Sequence, residues 1–554
     1  MKGNAYVPFM LRRGDGSTLS LDFTAMGDTL DSRFTFTRTS TATFINSQGY
    51  VQFANANLMT YSNPRQTGAA WLTAGTVTWG SSTLTDPTGG SAAQSITFGT
   101  TGSAIFNTSG TTVVSGITHT FSVWMRSATG TTNVRIGDAN VGGVATVTLT
   151  TTWQRFSCQY TTSGTNDGGA IYSQTGTPSA EFYVWGAQVQ PGSIVGELIQ
   201  TSGTINTNTP RFDYDPTTLT PRGLLIEGTA TNLVTNSQNI TTGTWTVGGN
   251  TTLTANTTEV TDPAGGNTAT KIALAASAYC YRAQLVTVLA NTAYTFSFWI
   301  RGTAGSTQRV FEFGGGDLVS QTILTYTNTG WTRVQVQFTS ATITTIFVYV
   351  CSKSTSAGSS DVLYVWGGQL ELGSGASSYI PTVGSTVQRT ADTCIAASTG
   401  FSSWFTGGTT GTFYADWFGG VRNITSTVRT VLSTSDVTGR HLHLQQTAAA
   451  GNLKVADFGA ANSVTTSNSI TSGARTKGAF SFSGSTVNLT LNGGTVATSS
   501  SIAFSTAPTW LVLGGTSTNG STITDATVLL NGSIRAIKYW PSVLPTATLQ
   551  SLTT

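Results

Sequence analysis

The stretch "FYVWGAQVQPGS" (Phe182 to Ser193) returns as "LYVWGGQLELGS" (Leu363 to Ser374), 181 positions further on (363 − 182). Each copy is rich in aromatic and β-branched residues and ends at a glycine-serine break, so each reads as one strand. The pair is the end of a larger repeat. "ANLMTYSN" (Ala56 to Asn63) answers "TNLVTNSQ" (Thr231 to Gln238), Trp71 answers Trp245, and "LTDPTGG" (Leu84 to Gly90) answers "VTDPAGG" (Val260 to Gly266). "TFSVWMR" (Thr120 to Arg126) answers "TFSFWIR" (Thr295 to Arg301), and "TWQRFSCQY" (Thr152 to Tyr160) answers "GWTRVQVQF" (Gly330 to Phe338). The offset drifts from 175 to 181, as small insertions would make it. Two homologous all-β domains in tandem are predicted, each closed by its YVWG strand.

The shared residues have physical reasons to recur. In "TFSFWIR", Phe296 and Phe298 point one way and Ser297 and Trp299 the other, which predicts an inner strand covered on both faces. Asp-Pro-x-Gly is the signature of a type I turn. Calcium held by Asp86 and Asp262 is the alternative reading of those two turns. In "TPRFDYDP", Pro210 and Pro216 fence Arg211, Asp213 and Asp215 on one face of an edge strand. Asp213 and Asp215 can be read as a metal or catalytic pair, but with Arg211 beside them an ion-pair ladder that docks the segment is expected.

Charged residues make up 9 % of the 554, against about 25 % in an ordinary soluble protein. Only six are lysines, and a net charge of +3 with no basic run predicts neither nucleic-acid binding nor attraction to an anionic membrane. The opening "MKGNAYVPFMLRRGDG" has a six-residue apolar run broken by Pro8, shorter than a signal-peptide core of about 7–15 residues. With no apolar stretch of about 18 residues, the expectation is a chain neither secreted nor membrane-inserted. Arg13-Gly14-Asp15 matches an integrin-binding tripeptide but is expected to be a plain turn. Cys158, Cys280, Cys351 and Cys394 lack metal-ligand spacing. Cys158 shares a strand face with Phe156 and Tyr160, and Cys351 with Phe347 and Tyr349, so buried thiols are expected. A hydroxyl-rich surface without disulfides fits a virion protein, made in a reducing cytoplasm and working outside the cell.

Three resemblances add to this reading. The order T-F-S-x-W-x-R, W-x-R, YVWGxQ is similar to jelly-roll carbohydrate-binding modules, over residues 57–202 and 232–386. "FTFTRTSTATFINSQGYV" (Phe34 to Val51), "TPRFDYDPTTLTPRGLLIEGTATNLVTNS" (Thr209 to Ser237) and "QLELGSGASSYIPTVGSTVQRTAD" (Gln369 to Asp392) resemble recurring blocks of tailed-phage virion proteins of the head-spike and tail-fibre family. "GTFYADW", "FSFSGSTVNLTLNGGTV", "TWLVLGG" and "LLNGSIRAIKYWPSVLPTATLQSL" resemble a concanavalin A-like, laminin-G-type sandwich over residues 411–554, within a unit expected at 396–554, with a hairpin turn at Asn492-Gly493 and a short helix after Tyr539-Trp540. Together they imply an all-β chain: an attachment region at 1–56, a jelly roll at 57–202, a β linker at 203–231, a second jelly roll at 232–388, and the sandwich. Fibres of this resemblance are commonly threefold, so a homotrimer is implied. A chain starting near Leu58 is expected to fold but to lack its attachment to phage head or tail proteins.

No catalytic constellation stands out. Glycosidases on the concanavalin-like fold use glutamates, and none occurs from Gly373 to Thr554. His441 and His443 share a strand face without a third ligand, and an exposed polar face is expected there rather than zinc. "EFGGGD" (Glu312 to Asp317) sits in a strand setting and is no phosphate cradle. Sugar binding remains, in which aromatic faces stack on pyranose rings. Aromatics shared by both repeats are explained by the fold, so the unshared Trp79, Tyr279 and Tyr281, with Trp404 and Trp417 of the third domain, are the candidate carbohydrate-binding residues. No cofactor or metal is expected. The expected function is non-enzymatic: a tail-fibre or spike adhesin for host-surface polysaccharide, with a head fibre or capsid decoration protein as the alternative and a depolymerase third.

Overall fold

In the computed structural model, the described residues are 14–554 without 27–28, 65–70, 100–101, 108–115, 141, 163–167, 175–177, 249–250, 275–279, 303–308, 316–317, 325–329, 341, 343, 354–360, 420–427, 437–441, 448–450, 458–461, 472 and 503–506. Nearly all ordered elements among them are antiparallel strands. The chain forms two compact units, one of Met1–Arg38, Ala42–Gln52 and Pro210–Thr554, the other of Thr39–Thr41 with Phe53–Thr209.

The unit at Phe53–Thr209 is a jelly roll of two five-stranded sheets. The front sheet runs, in spatial order, Gly142–Leu149, Thr132–Asp138, Gly169–Ser173, Ala104–Asn107, Trp71–Ala74; the back sheet runs Gln154–Thr161, Thr118–Ser127, Phe182–Pro191, Gln94–Phe98, Val77–Trp79. Phe121, Val123, Ile136, Ile171, Phe182 and Val184 fill the space between them. The second jelly roll repeats this arrangement. Trp245–Gly248, Cys280–Thr287 and Thr345–Lys353 open its front sheet, and Asp361–Leu372 lies inside its back sheet between Thr270–Leu274 and Ala293–Gly302. Phe296 and Phe298 enter the core, while Trp299 packs with Trp366 and Tyr379 on the other face, as the alternation predicts.

The repeated dodecapeptide acquires its reason here. Trp185 pairs with Trp124 and Gln188 with Ser122, so Gly186 and Ala187 together oppose one residue; Trp366 pairs with Trp299 and Gln369 with Ser297, so Gly367 and Gly368 do the same. This is a β-bulge whose first residue has positive φ, +62° at Gly186 and +70° at Gly367. The glutamine after the bulge then holds the returning chain: Ile199 N–H donates to Gln188 Oε1 and Ile380 N–H to Gln369 Oε1, both at 2.7 Å. The repeated asparagine completes the clasp. Asn57 Nδ2 donates to the carbonyls of Ala187 and Ile199, and Asn232 Nδ2 to those of Gly368 and Ile380. Both Asp-Pro-x-Gly segments are turns, with Gly89 N–H donating to Asp86 O and Gly265 N–H to Asp262 O.

The sandwich is discontinuous in sequence, which corrects two expected boundaries. Leu19–Asp22, inside the supposed attachment region, pairs with Gly532–Trp540, and Thr35–Thr37 pairs with Thr393–Ala397. Pro221–Ile226, inside the supposed linker, pairs on the other end of Gly532–Trp540, and Phe212–Tyr214 forms the sheet edge beyond it, as its flanking prolines predict. Leu19, Leu21, Phe23, Phe34 and Phe36 share one core with Phe413, Phe480 and Tyr539. Along the chain, both jelly rolls are therefore insertions into this sandwich. The second departs and returns through paired strands, Ala230–Asn232 against Val387–Arg389. Asn492 and Gly493, at φ 47° and 70°, make the expected turn, and the helix Thr546–Thr553 follows the aromatic pair.

Candidate functional site

Strand alternation decides what the front sheet of the first jelly roll shows to solvent. Ile105, Ile136 and Ile171 point into the core, so Ala104, Phe106, Arg135 and Tyr172 face outward. Tyr172 is paired with Ala104 on one side and Arg135 on the other, and Phe106 is paired with Ala170. Each ring thus has a methyl group opposite it, and the small partners leave a groove of about 330 Å³ between Ala74, Ser103, Phe106, Arg135 and Tyr172. Tyr172 Oη donates to the Asp138 carbonyl at 2.5 Å, which pins the ring. Burial, with the Asp138 charge, raises its pKa to about 12 against the opposing effect of Arg135, so it is a neutral phenol at physiological pH. Arg135 folds over Gly143 and donates to its carbonyl oxygen. Leu72, 44 % exposed, and Ala74 form the rim.

The equivalent face of the second jelly roll also carries rings. Ile346, Val348 and Val350 are core residues, and Phe347 and Tyr349 point outward between them. Tyr281 lies edge-on to Tyr349 at 5.8 Å, and Phe347 is 6.2 Å from Tyr349. Leu285, paired with Phe347, is 51 % exposed. The side chains of Cys280 and Cys351, expected to be buried thiols, lie outside the described residues.

Of the sequence candidates, Tyr281 stands on this open face and Tyr279 lies outside the described residues. Trp79 is half-buried on the edge of the back sheet, paired with Ile96, and packs with Val77 against the core, away from the groove face. The expectation for Trp404 and Trp417 is corrected. They are 1 % and 0 % exposed in the sandwich core, Trp404 edge-on to Tyr539 at 5.4 Å with its Nε1 donating to Gly400 O, so neither offers a face to a sugar. Phe106, Tyr172, Arg135, Phe347 and Tyr349 are not singled out by the repeat filter. Their signal is the outward phase of a strand, legible only once pairing fixes which phase is outward.

The two turn aspartates have structural partners. Asp86 accepts hydrogen bonds from the N–H groups of Thr88, Gly90 and Ala92, and Asp262 from those of Ala264, Gly266 and Thr268. Burial opposes ionisation of Asp86, but the Thr88 hydroxyl, which donates to it at 2.6 Å, together with these N–H groups outweighs it and holds the carboxyl below its ordinary value. Oxygens so occupied by donors form the turn rather than a cation cage. No group of three or more His, Cys, Asp or Glu suited to a metal occurs among the described residues. His443 is buried, not exposed as expected, and 3.2 Å from Gln445; His441 and the Glu312–Asp317 side chains lie outside the described residues. His119 is also buried, and burial lowers its pKa to about 4. Cys158 and Cys394 are buried, and burial pushes both thiols well up, Cys158 to about 12.

The ladder expected at residues 211–215 divides among separate partners. Arg211 binds Asp392 at 2.5 Å and Glu227 at 2.7 Å; Arg38 binds Asp392 at 3.0 Å and Arg389 binds Glu227 at 2.5 Å. All five side chains are almost fully buried. Ser378 donates to Glu227 through both N–H and hydroxyl. Burial works against the Glu227 charge, yet Arg389 and Arg211 hold its carboxyl well below the usual range. Asp215 pairs with Arg222 at 2.7 Å, and Asp213 accepts the Ile45 N–H at 2.8 Å. Asp213, Arg222, Trp299, Arg333 and Phe418 line a cleft of about 410 Å³. Burial raises Asp213 to about 6 despite the Ile45 N–H and Arg222. Glu227 beside it is engaged by two guanidiniums and a serine.

No protein-family model and no curated protein matches the chain. Among solved structures, it is similar to the N-terminal CBM22-1-CBM22-2 tandem domain of Xyn10C from Paenibacillus barcinonensis, at 13 % identity and a TM-score of 0.21, over 61 % of this chain and 100 % of that one. It is similar to domains LG4-5 of the mouse laminin alpha1 chain at 8 % identity and a TM-score of 0.19, over 49 % and 93 %. It is also similar to the SAP-like pentraxin of Limulus polyphemus at 13 % identity and a TM-score of 0.23, over 26 % and 70 %.

Proposed function

We propose that this chain is a non-enzymatic glycan-binding protein of a phage virion, a tail-fibre or spike adhesin that holds host-surface polysaccharide on the front sheets of its jelly rolls. The observation that carries the reading is the outward ring cluster at the same sheet of both repeats: Phe106 and Tyr172 in a groove on the first, Tyr281, Phe347 and Tyr349 on the second. Flat apolar faces flanked by hydroxyls suit the C–H face of a pyranose, and rings packed on a rigid sheet lose little freedom on binding. The virion setting rests on the sequence blocks resembling phage structural proteins and on the hydroxyl-rich, lysine-poor composition. A homotrimer belongs to the same proposal, and sedimentation at micromolar concentration tests it; a stable monomer refutes it.

A capsid decoration protein is the second reading. It is favoured by the interleaving of Leu19–Asp22 and Thr35–Thr37 with the C-terminal sandwich, which makes those residues part of a body rather than a separate anchor. Affinity measurement of the intact chain against host surface polysaccharides decides between them. Phe106→Ala or Tyr349→Ala is expected to weaken binding by about 1–2 kcal/mol per ring with the melting temperature nearly unchanged. No binding by the wild type, or binding indifferent to both substitutions, refutes the adhesin and leaves decoration.

A further inference from the structure

The groove on the first jelly roll has a charge that its aromatic residues do not require. Arg135 projects from the middle of the front sheet beside Tyr172, and its one hydrogen bond among the described residues goes to the neutral carbonyl of Gly143. No carboxylate pairs with it among the described residues, whereas Arg38, Arg211, Arg222, Arg389 and Arg475 each pair with an acid. Asp138, the nearest acid on its own strand, is fully buried and accepts the Asn140 N–H at 2.6 Å. The other lining residues are Ala, Gly, Ser, Phe and Tyr, none of them acidic. Arg135 is half-buried, so its remaining N–H groups are partly withdrawn from water and held at the end of a ring-lined groove. A guanidinium so placed recognises a planar carboxylate with two parallel N–H···O bonds. The front sheet of the second jelly roll carries rings without a described cation in this position: its Arg282 is buried and donates to the Ile240 carbonyl.

We infer that the groove formed by Phe106, Arg135 and Tyr172 takes an acidic polysaccharide, a uronic acid residue stacking on the rings with its carboxylate on Arg135. This inference rests on the glycan-binding reading and gives it a substrate class. Polygalacturonate and its methyl ester share one backbone and differ in charge, so they separate the two claims. The intact wild type is expected to bind polygalacturonate about tenfold more tightly than the ester, the size of one charge-assisted hydrogen bond, and to lose that margin in 0.5 M salt. Arg135→Gln is expected to bring polygalacturonate down to the affinity of the ester while melting like the wild type, and Tyr172→Ala to weaken both polymers together. Equal wild-type affinity for the two polymers, or a preference that survives Arg135→Gln, overturns the acidic substrate and leaves sugar stacking in place. Failure of the wild type to bind polygalacturonate at all also overturns it, and indifference of all binding to Tyr172→Ala overturns the stacking reading itself.

Discussion

At the scale of single residues, ionisable side chains in this chain mostly hold segments together, and the five-residue ion cluster shows how. Arg38, Arg211, Glu227, Arg389 and Asp392 come from three segments far apart in the chain, and they meet in one buried site. Removing one member leaves a buried charge less well compensated. Asp392→Asn is expected to cost about 3–5 kcal/mol in denaturant unfolding, because it leaves the Arg38 and Arg211 charges poorly compensated. Asp213 makes the opposite case. Its folded-state pKa is raised to about 6, so the proton it binds stabilises the fold below the ordinary carboxylate value of 3.8, and that contribution is lost as pH rises through 6. Asparagine can still accept the Ile45 N–H without the charge. Asp213→Asn is therefore expected to stabilise the protein at pH 7–8 and to lose that advantage below pH 4, measured by melting temperature across the range; a constant difference at all pH values refutes it.

At the scale of elements, the bulge after Trp185 and Trp366 and the strand pairing of the N-terminal segment make separate demands. A Cβ on Gly367 would sit 2.8 Å from the Trp299 ring in addition to holding φ at +70°. Gly367→Ala is expected to destabilise the second jelly roll by about 1–3 kcal/mol in calorimetry, combining left-handed strain with overpacking. Gly186, whose Cβ would meet the flexible end of Leu198 at 2.7 Å, is expected to be the more tolerant of the two. The expectation that a chain starting near Leu58 folds is reversed by the pairing. Such a chain lacks Leu19, Leu21, Phe23, Phe34 and Phe36 from the sandwich core and Arg38 from the ion cluster, and it bares the Thr393–Ala397 edge. It is expected to aggregate on expression, checked by solubility and size-exclusion chromatography; a monodisperse product with native circular dichroism refutes the assignment.

At the scale of the whole molecule, the division into two units predicts how the protein unfolds. Residues 53–209 hold their own core and their own clasp, Asn57 with Gln188. Expressed alone, they are expected to fold and melt in one transition. In the intact chain, Asp392→Asn is expected to lower the transition of the other unit and leave this one in place, resolved by scanning calorimetry; a single transition shifting as a whole refutes independent folding.

Much of this architecture was legible in the chain. The internal repeat predicts two homologous β domains, and the structure pairs Trp71 with Asn107 and Trp245 with Gln284 in matching sheets. Alternation places Phe296 and Phe298 inside, prolines put Phe212–Tyr214 at an edge, and Asn-Gly marks a hairpin. All of these are local: period, turn chemistry and self-similarity act over a few residues and need no partner. What the chain left open was every contact made at long separation. Leu19 and Tyr539 become neighbours only by pairing, so a segment that reads as a free N-terminal region is a strand of the last domain. Trp404 and Trp417 look like unshared surface rings until the sandwich closes over them. Phe106 and Tyr172 face outward only because pairing fixes the phase of their strands. An aromatic side chain has the same composition whether it fills a core or faces a ligand, and only the tertiary structure, by deciding which side of the sheet is covered, assigns it to one or the other.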